Sequence, residues 1–331
     1  VVSNGGLMRG FSAYMGQNAS SSNNTAIVSG PGAFWRLESL LYIGNFGPGN
    51  RLVISNGAWM RDDNALLGVF SANNDATVTG PGSFWTNTSG LYVGRFRSGN
   101  RLFVTNGGFI FSRGIFVGID PMATNNRVVI DGGTIVVTNS TGAGEFDLER
   151  GTNVLNSGLI DVAQLWLLNS LAFFEFNGGT VRTSGTTNRN GRVFTVGNGS
   201  SAATLQLRGG THFFSNNLAI APNAFLIGDG AVLGGVTNSG AISPGTSAGR
   251  ISILGPLVLS NASDLRFELG GYTPGTQHDS LSVTGNVALA GKLSVSLIES
   301  FQAAMTNGAS FTLLTATNPI TGVFTNVASG G

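Results

Sequence analysis

Residues 24 to 59 read NTAIVSGPGAFWRLESLLYIGNFGPGNRLVISNGAW, and residues 74 to 109 repeat that stretch as NDATVTGPGSFWTNTSGLYVGRFRSGNRLFVTNGGF. The two stretches are identical at 19 of 36 positions. Self-similarity at a fixed period is typical of a repeat architecture, in which each unit buries its apolar side only against its neighbours. The sequence therefore predicts a repeat protein.

The repeat divides again at about 25 residues, because RLVISNGAWMRDDNALLGVF from Arg51 and ATVTGPGSFWTNTSGLYVGRF from Ala76 share one outline. Each unit alternates apolar and polar residues, turns at Asn-Gly or Gly-Pro-Gly, and ends in Leu-x-x-Gly. The outline recurs downstream as RVVIDGGTIVV (127–137), NVLNSGLIDV (153–162), FFEFNGGTVRT (173–183) and TLQLRGGTHFF (204–214). These spacings indicate one rung per unit.

Short β-branched and aromatic runs punctuated by glycine and asparagine are typical of β-strands and their corners. Long helical patterns are absent from the sequence, and a turn or two of helix is expected only near residues 300–305. The sequence therefore predicts an all-β parallel β-helix, or β-solenoid, with rungs of about 25 residues. Composition shifts near Gly228, which divides the chain into a solenoid repeat region (1–227) and a β-rich C-terminal region (228–331) that continues, caps or assembles the solenoid.

Large aromatic residues recur at the same place in successive units. We expect them to stack as ladders along one face of the solenoid, where packing is the preferred interpretation and a platform for ligand stacking is the alternative. The predicted ladder residues are Phe34, Trp35, Trp59, Phe84, Trp85 and Phe109.

Charge and cysteine content exclude several classes of function. Charged residues are 10% of the 331, the formal net charge is +1, and cysteine is absent. A chain of this kind has no electrostatic footprint for nucleic acid and no disulfide framework. It also has no run of 18 apolar residues, so no membrane-spanning helix is predicted.

Candidate chemistry is sparse. Asp62 and Asp63 are adjacent carboxylates, but neighbours on a strand point to opposite sides, so a polar corner is preferred over a catalytic pair. The His278-Asp279 pair is interpreted as part of a structural turn. We predict no catalytic residue, no cofactor and no enzyme activity. The best acidic patch comprises Glu145, Asp147 and Glu149, for which a solvated outer face is preferred over calcium binding or polysaccharide contact.

The C-terminal region contains a set of short glycine-rich motifs, at Asn238–Gly240, Ser243–Gly245, Gly249, Phe267–Gly271, Gly275–Asp279, Leu281–Val283, Gly291, Leu293 and Ile320–Phe324. In these residues the region resembles that of secreted bacterial surface proteins built from autotransporter-associated β-strand repeats, and of related proteins with a PEP-CTERM sorting tail. The resemblance implies export and a β-solenoid at or beyond the surface of a Gram-negative-type bacterium, and it implies no reaction. The sequence departs from the pattern in its lack of a sorting tail, and we expect processing near Gly331.

The ends and corners of the predicted solenoid suggest a structural role. Asparagines at the corners (Asn56, Asn106, Asn156 and Asn177) are expected to hydrogen-bond from rung to rung and to stiffen the protein. Val1 and Val2 begin inside a rung, and Val323 and Phe324 close an apolar C-terminal region, so both ends are templates for another copy. We expect a filament or surface-assembly subunit whose partner is itself. The alternatives are a monomeric adhesin or passenger stalk that contacts surface glycans and, ranked lower, a polysaccharide-active enzyme.

Overall fold

The computed structural model describes residues 1–327, which are β structure with one short 3-10 helix at Phe301–Ala303. The chain is an all-β parallel β-solenoid of about 12 turns with rungs of about 25 residues, which confirms the predicted fold class. It divides into two compact units, Val1–Glu175 and Phe176–Gly331. The boundary expected at residues 227/228 falls within one strand of the second unit, Ala224–Leu233.

The first five rungs of the first unit each place one short strand on each of three faces. Face 1 contains β1 (Val2–Ser3), β4 (Thr25–Ser29), β7 (Arg51–Ser55), β10 (Asp75–Thr79) and β13 (Arg101–Thr105). Face 2 contains β2 (Leu7–Gly10), β5 (Phe34–Leu37), β8 (Trp59–Asp62), β11 (Phe84–Asn87) and β14 (Phe109–Ser112). Face 3 contains β3 (Ala13–Met15), β6 (Leu40–Ile43), β9 (Asn64–Leu67), β12 (Gly90–Val93) and β15 (Gly114–Val117).

Longer strands complete this unit. Strand β16 (Asn126–Val137) runs through faces 1 and 2, because it pairs with both β13 and β14. Strand β17 (Glu145–Leu148) continues face 3, and β18 (Gly151–Leu167) pairs with both β16 and β17. Strand β19 follows at Ala172–Phe176.

Successive rungs pair in parallel with matching residues in register. On face 1, Thr25 pairs with Arg51, Arg51 with Asp75, and Asp75 with Arg101. Because strand residues alternate between the two sides of a sheet, each rung directs one set of side chains inward and the other outward. The inward stack of Val28, Ile54, Val78 and Val104 is fully buried. The apolar alternation of the sequence therefore forms one continuous core within this unit.

The second unit has the same parallel construction. Three long strands come first, β20 (Gly179–Asn188), β22 (Ala203–Phe214) and β24 (Ala224–Leu233). Later rungs use shorter strands, β26 (Ala241–Pro244), β27 (Arg250–Leu254), β29 (Asp264–Leu269), β30 (Ser280–Val283), β32 (Lys292–Leu297) and β33 (Leu314–Ala316). A separate six-stranded sheet is formed by β21 (Phe194–Val196), β23 (Leu218–Ile220), β25 (Val236–Asn238), β28 (Leu257–Leu259), β31 (Val287–Leu289) and β34 (Ile320–Gly322).

Candidate functional site

The six predicted ladder aromatics lie on two sides of face 2 rather than on one. Trp35 and Trp85 point inward and are 5% and 0% exposed, whereas Trp59 points outward and is 56% exposed. The six divide between the two sides because Phe34-Trp35 and Phe84-Trp85 are adjacent on a strand, where neighbouring side chains point to opposite sides. The outward column is Leu7, Phe34, Trp59, Phe84 and Phe109, in register across five rungs.

Arginines form a second outward column on face 2. Arg9 pairs with Arg36, and Arg36 with Arg61, so three guanidinium groups lie on successive rungs two residues beyond the aromatic column. The carboxylate of Glu38 accepts a hydrogen bond of 3.2 Å from Nη2 of Arg36, and its other oxygen lies 2.9 Å from Nε of that arginine. Neighbouring rungs are about 4.8 Å apart. The outer side of face 2 therefore combines an apolar strip with a strip of planar polar groups.

Other outward aromatic ladders were not anticipated from the sequence. The rings of Tyr14 and Tyr42 stack at 4.8 Å with an interplanar angle of 8°, and those of Phe70 and Phe96 stack at 5.3 Å and 7°. Their signal in the sequence is one aromatic residue at the same offset in consecutive units. On face 2 the rings are instead inclined, by 60° between Trp59 and Phe84 and by 46° between Phe84 and Phe109.

A column of buried asparagine amides connects the rungs, but it is built from different asparagines than those expected. Each backbone N–H and side-chain N–H₂ donates to the Oδ1 of the next asparagine, as Asn74 does to Asn100 at 3.1 and 2.9 Å. The amide column is Asn24, which is exposed, followed by the fully buried Asn50, Asn74, Asn100 and Asn126.

Two of the expected corner asparagines have another role. Asn56 and Asn106 adopt positive φ angles of 55° and 49° at the corners, and their amides donate to hydroxyl groups of Ser29 and Thr79. The Leu-x-x-Gly motif is explained by the amide column instead. A Cβ atom on Gly94 would lie 2.0 Å from the side-chain nitrogen of Asn126. The glycine therefore makes room for the buried amide.

Asp62 is a carboxylic acid buried in the core at the end of β8. Its two oxygens accept hydrogen bonds of 2.6 Å from Nε1 of Trp85 and 2.6 Å from Nδ2 of Asn87. Burial is the main cause that raises its pKa to about 7, against the two hydrogen bonds, which lower it. Asp63 lies outside the core and accepts a hydrogen bond of 2.9 Å from Thr88. At this corner, therefore, Asp62 points into the core and Asp63 points away from it.

The acidic patch lies on strand β17 and the residue after it. Desolvation first, and then the charges of Glu149 and Glu145, raise the pKa of Asp147 to about 6. Phe116 and Trp166 flank Asp147 on the neighbouring rungs. Within residues 1–327, no group of three or more acidic or histidine side chains is close enough to hold a metal ion. The structure thus gives these carboxylates no metal-binding arrangement.

His278 and Asp279 do not face each other as a catalytic pair. The carboxylate of Asp279 accepts backbone N–H bonds from Gly249 at 2.9 Å and Glu268 at 2.7 Å. Burial raises its pKa to about 6. His278 is buried, with its Nδ1 3.1 Å from the carbonyl oxygen of Gly271 and its ring edge-on to Phe311. Both side chains fix the loop that precedes β30.

The first rung exposes a layer of core side chains. Val2, Met8, Ala13 and Met15 pair with the buried residues of the second rung and therefore point inward. Met8 is nevertheless 48% exposed, because β1, β2 and β3 pair only with β4, β5 and β6 within the described residues. We call these four residues the N-terminal end layer. Of the predicted assembly residues, Val2 belongs to this layer, and Val1 is 89% exposed beside it.

The last described rung exposes a similar layer. Val295 and Ile320 pair with the buried residues Phe267 and Val287 and are 48% and 47% exposed. Up to residue 327, strands β32, β33 and β34 pair with another strand on one edge only, and on the other edge of β32 the side chain of Asn326 bonds to the backbone N–H and C=O of Leu293. The C-terminal end layer comprises Leu293, Val295, Leu297, Leu314 and Ile320. The predicted residues Val323 and Phe324 follow β34, with Val323 61% exposed.

Across residues 1–327, no helix has the length and apolar character needed to cross a membrane. Comparison of the chain with protein-family models, with curated proteins and with solved structures finds no match. The structure shows a β-solenoid fold, and no family or homologue is identified.

Proposed function

We propose that this protein is a structural subunit that stacks head to tail into a filament or surface assembly. The observation that carries the proposal is the pair of apolar end layers, each bordered by three strands that, within residues 1–327, pair with another strand on one edge only. An exposed strand edge and an uncovered core layer are both stabilised when another layer of the same kind covers them.

The direction of the strands favours contact between unlike ends. Strands β1, β2 and β3 follow one another around the first rung, and β32, β33 and β34 do so around the last described rung. Stacking unlike ends keeps every strand parallel, whereas a two-fold contact between like ends would reverse the strands of one copy. A head-to-tail contact is heterologous and does not close on itself, so it propagates as a fibre.

The proposed location follows from the resemblance of the C-terminal region to exported repeat proteins. An assembly of this kind belongs outside the cell or on its surface, where a protein without cysteine depends on rung stacking rather than on disulfide bonds for stability.

Electron microscopy of the purified chain at increasing concentration tests the proposal, with sedimentation velocity on the same samples. The expected result is unbranched fibres in which the β-strand stack continues from one copy to the next, together with species that grow with concentration. A monomer at every concentration would contradict the proposal and would favour the monomeric adhesin or passenger stalk.

A further inference from the structure

Two features on the outer side of face 2 in the first unit reduce the stability of the fold: an exposed tryptophan and a column of arginines. Trp59 leaves 56% of its surface in water although it lies in the middle of a sheet face. Beside it, Arg9, Arg36 and Arg61 lie on successive rungs in direct register. Like charges placed opposite each other on neighbouring strands are destabilising. A sheet face selected only for stability would avoid both features.

The aromatic rings on this face differ from the other outward ladders. In the pairs Tyr14–Tyr42 and Phe70–Phe96 the rings are within 8° of parallel, so each ring covers the face of the next and presents its edge to solvent. The rings of Trp59 and Phe84 are inclined at 60°. Inclined rings leave part of each ring face uncovered, and Trp59 is the most exposed aromatic residue of this column.

The polar strip contains both donors and acceptors. Arginine offers planar N–H donors, while the carboxylate of Glu38 and the hydroxyl of Thr86, which pairs with Arg61 across the rungs, can accept. A sugar ring has an apolar C–H surface and hydroxyl groups that donate and accept hydrogen bonds. The aromatic strip can pack against the C–H surface of the sugar, and the mixed polar strip can hydrogen-bond to its hydroxyl groups.

We propose that this surface is a binding platform for a neutral polysaccharide. The platform is formed by Phe34, Trp59, Phe84, Arg9, Arg36 and Arg61. The aromatic strip continues from Phe34 to Phe109 over four rungs and the arginine strip from Arg9 to Arg61 over three, so both match a ligand that also repeats, and a chain of sugars can contact several rungs at once. The carboxylate of Glu38 offsets the charge of Arg36 and would face an acidic group bound at that rung, which favours a neutral polymer over an acidic polysaccharide or a nucleic acid. Of the platform residues, only Arg9 lies on the first rung, which also carries the N-terminal end layer.

Gel electrophoresis of the protein through matrices that contain a soluble polysaccharide tests this inference. The panel comprises a neutral β-glucan, xylan, galactomannan, alginate as an acidic polymer, and single-stranded DNA. The expected result is retardation by at least one neutral polymer. Trp59→Ala should weaken that binding at least tenfold, and Arg61→Ala about fivefold. Phe46→Ala is the matched control, since Phe46 is also an outward aromatic of the first unit and is 47% exposed; it should bind as the unaltered protein does.

A second measurement uses the unaltered protein, so that it does not depend on how the variants fold. Trp59 is exposed, Trp166 is partly exposed, and Trp35 and Trp85 are buried, so acrylamide quenching reports chiefly on Trp59 and to a smaller extent on Trp166. A neutral polymer that retards the protein should decrease this quenching. Retardation by alginate or DNA alone, no retardation by any polymer, or unchanged binding and quenching after Trp59→Ala would each overturn the inference.

Discussion

The acid at Asp62 shows how one buried group can control the pH dependence of stability. Its pKa is raised from 3.8 to about 7 by burial. A raised carboxyl pKa means that the folded state binds a proton more tightly than the unfolded state does. The protonated Asp62 therefore contributes fully to the free energy of unfolding below about pH 4. This contribution, roughly 2 to 4 kcal/mol, is lost as the pH rises to about 7.

Asp62→Asn should remove this loss. An asparagine at position 62 can accept from the indole of Trp85 and donate to a reoriented Asn87, whose Oδ1 has no hydrogen-bond partner in the native arrangement. We expect the variant to unfold like the unaltered protein at pH 4 and to be about 2 to 4 kcal/mol more stable at pH 8. Guanidinium titrations followed by circular dichroism measure this difference.

Asp63→Asn is the matched control, because it removes a carboxylate from the outer side of the same corner. We expect it to change the free energy of unfolding by less than about 1 kcal/mol. Asp147 and Asp279 also have raised pKa values, about 6 each, and contribute to the pH dependence of the unaltered protein. If Asp62→Asn had the same stability difference at pH 4 and pH 8, the raised pKa of Asp62 would be wrong.

At the scale of the structural element, the amide column connects the rungs by side-chain hydrogen bonds in addition to the β-sheet ladders. Asn100 accepts from Asn74 and donates its Nδ2 to Asn126 at 3.1 Å and to the carbonyl oxygen of Arg97 at 3.1 Å. A buried group that loses its partner costs more than the net value of the hydrogen bond. Each amide in the column is therefore needed by the rungs on both sides.

Asn100→Asp should destabilise the protein by about 3 kcal/mol or more at pH 7. The substitution keeps the size of the side chain but places a carboxylate oxygen against the Oδ1 of Asn126 and the carbonyl oxygen of Arg97. Asn56→Asp is the control, because Asn56 is exposed and aspartate tolerates its positive φ of 55°. Its cost should stay below about 1 kcal/mol. Equal shifts in the denaturation midpoints of the two variants would argue against the role of the column.

These elements show what the sequence could and could not predict. The fold class followed from the 25-residue outline, because apolar alternation and glycine corners restrict the backbone strongly. The corner asparagines Asn56 and Asn106 do bond from rung to rung, but the stacked amides are formed by other asparagines such as Asn50, which faces the other side of the chain. The inward column could have been found by noting that Asn50 and Asn100 directly precede the start of a strand, at Arg51 and Arg101.

The face 2 aromatics show the same limit. Sequence periodicity places Phe34 and Trp35 in one rung, but which of the two is buried depends on the register of the strand relative to the corner. Either residue could fill the core by its chemistry alone. The end layers were anticipated only in part, because their principal residues, such as Met8 and Val295, become apparent once pairing shows which side chains point inward.

At the scale of the whole molecule, assembly should depend on the end layers and not on apolar side chains exposed elsewhere. Met8→Lys places an ammonium group in the N-terminal end layer, where stacking would remove it from water at a cost of several kcal/mol. We expect the variant to need at least tenfold more protein to form fibres, as measured by sedimentation velocity and electron microscopy.

Val258→Lys is the control for this prediction. Val258 is 44% exposed, but its strand β28 pairs on both edges, with β25 and β31. The control should assemble like the unaltered protein, and both variants should retain the β-sheet circular dichroism spectrum. Normal fibre formation by Met8→Lys would exclude the N-terminal end layer as the contact.

The inward column of face 2 alternates in size. Trp35 lies next to Met60, Met60 next to Trp85, and Trp85 next to Ile110, so an indole occupies every second rung. Loss of the Met60 rung alone would bring the indoles of Trp35 and Trp85 together, whereas loss of the Met60 and Trp85 rungs together would place Trp35 next to Ile110, as Trp85 is in the native chain. At this position of the core, an increment of two rungs, the length of the fifty-residue repeat, avoids a contact between indoles.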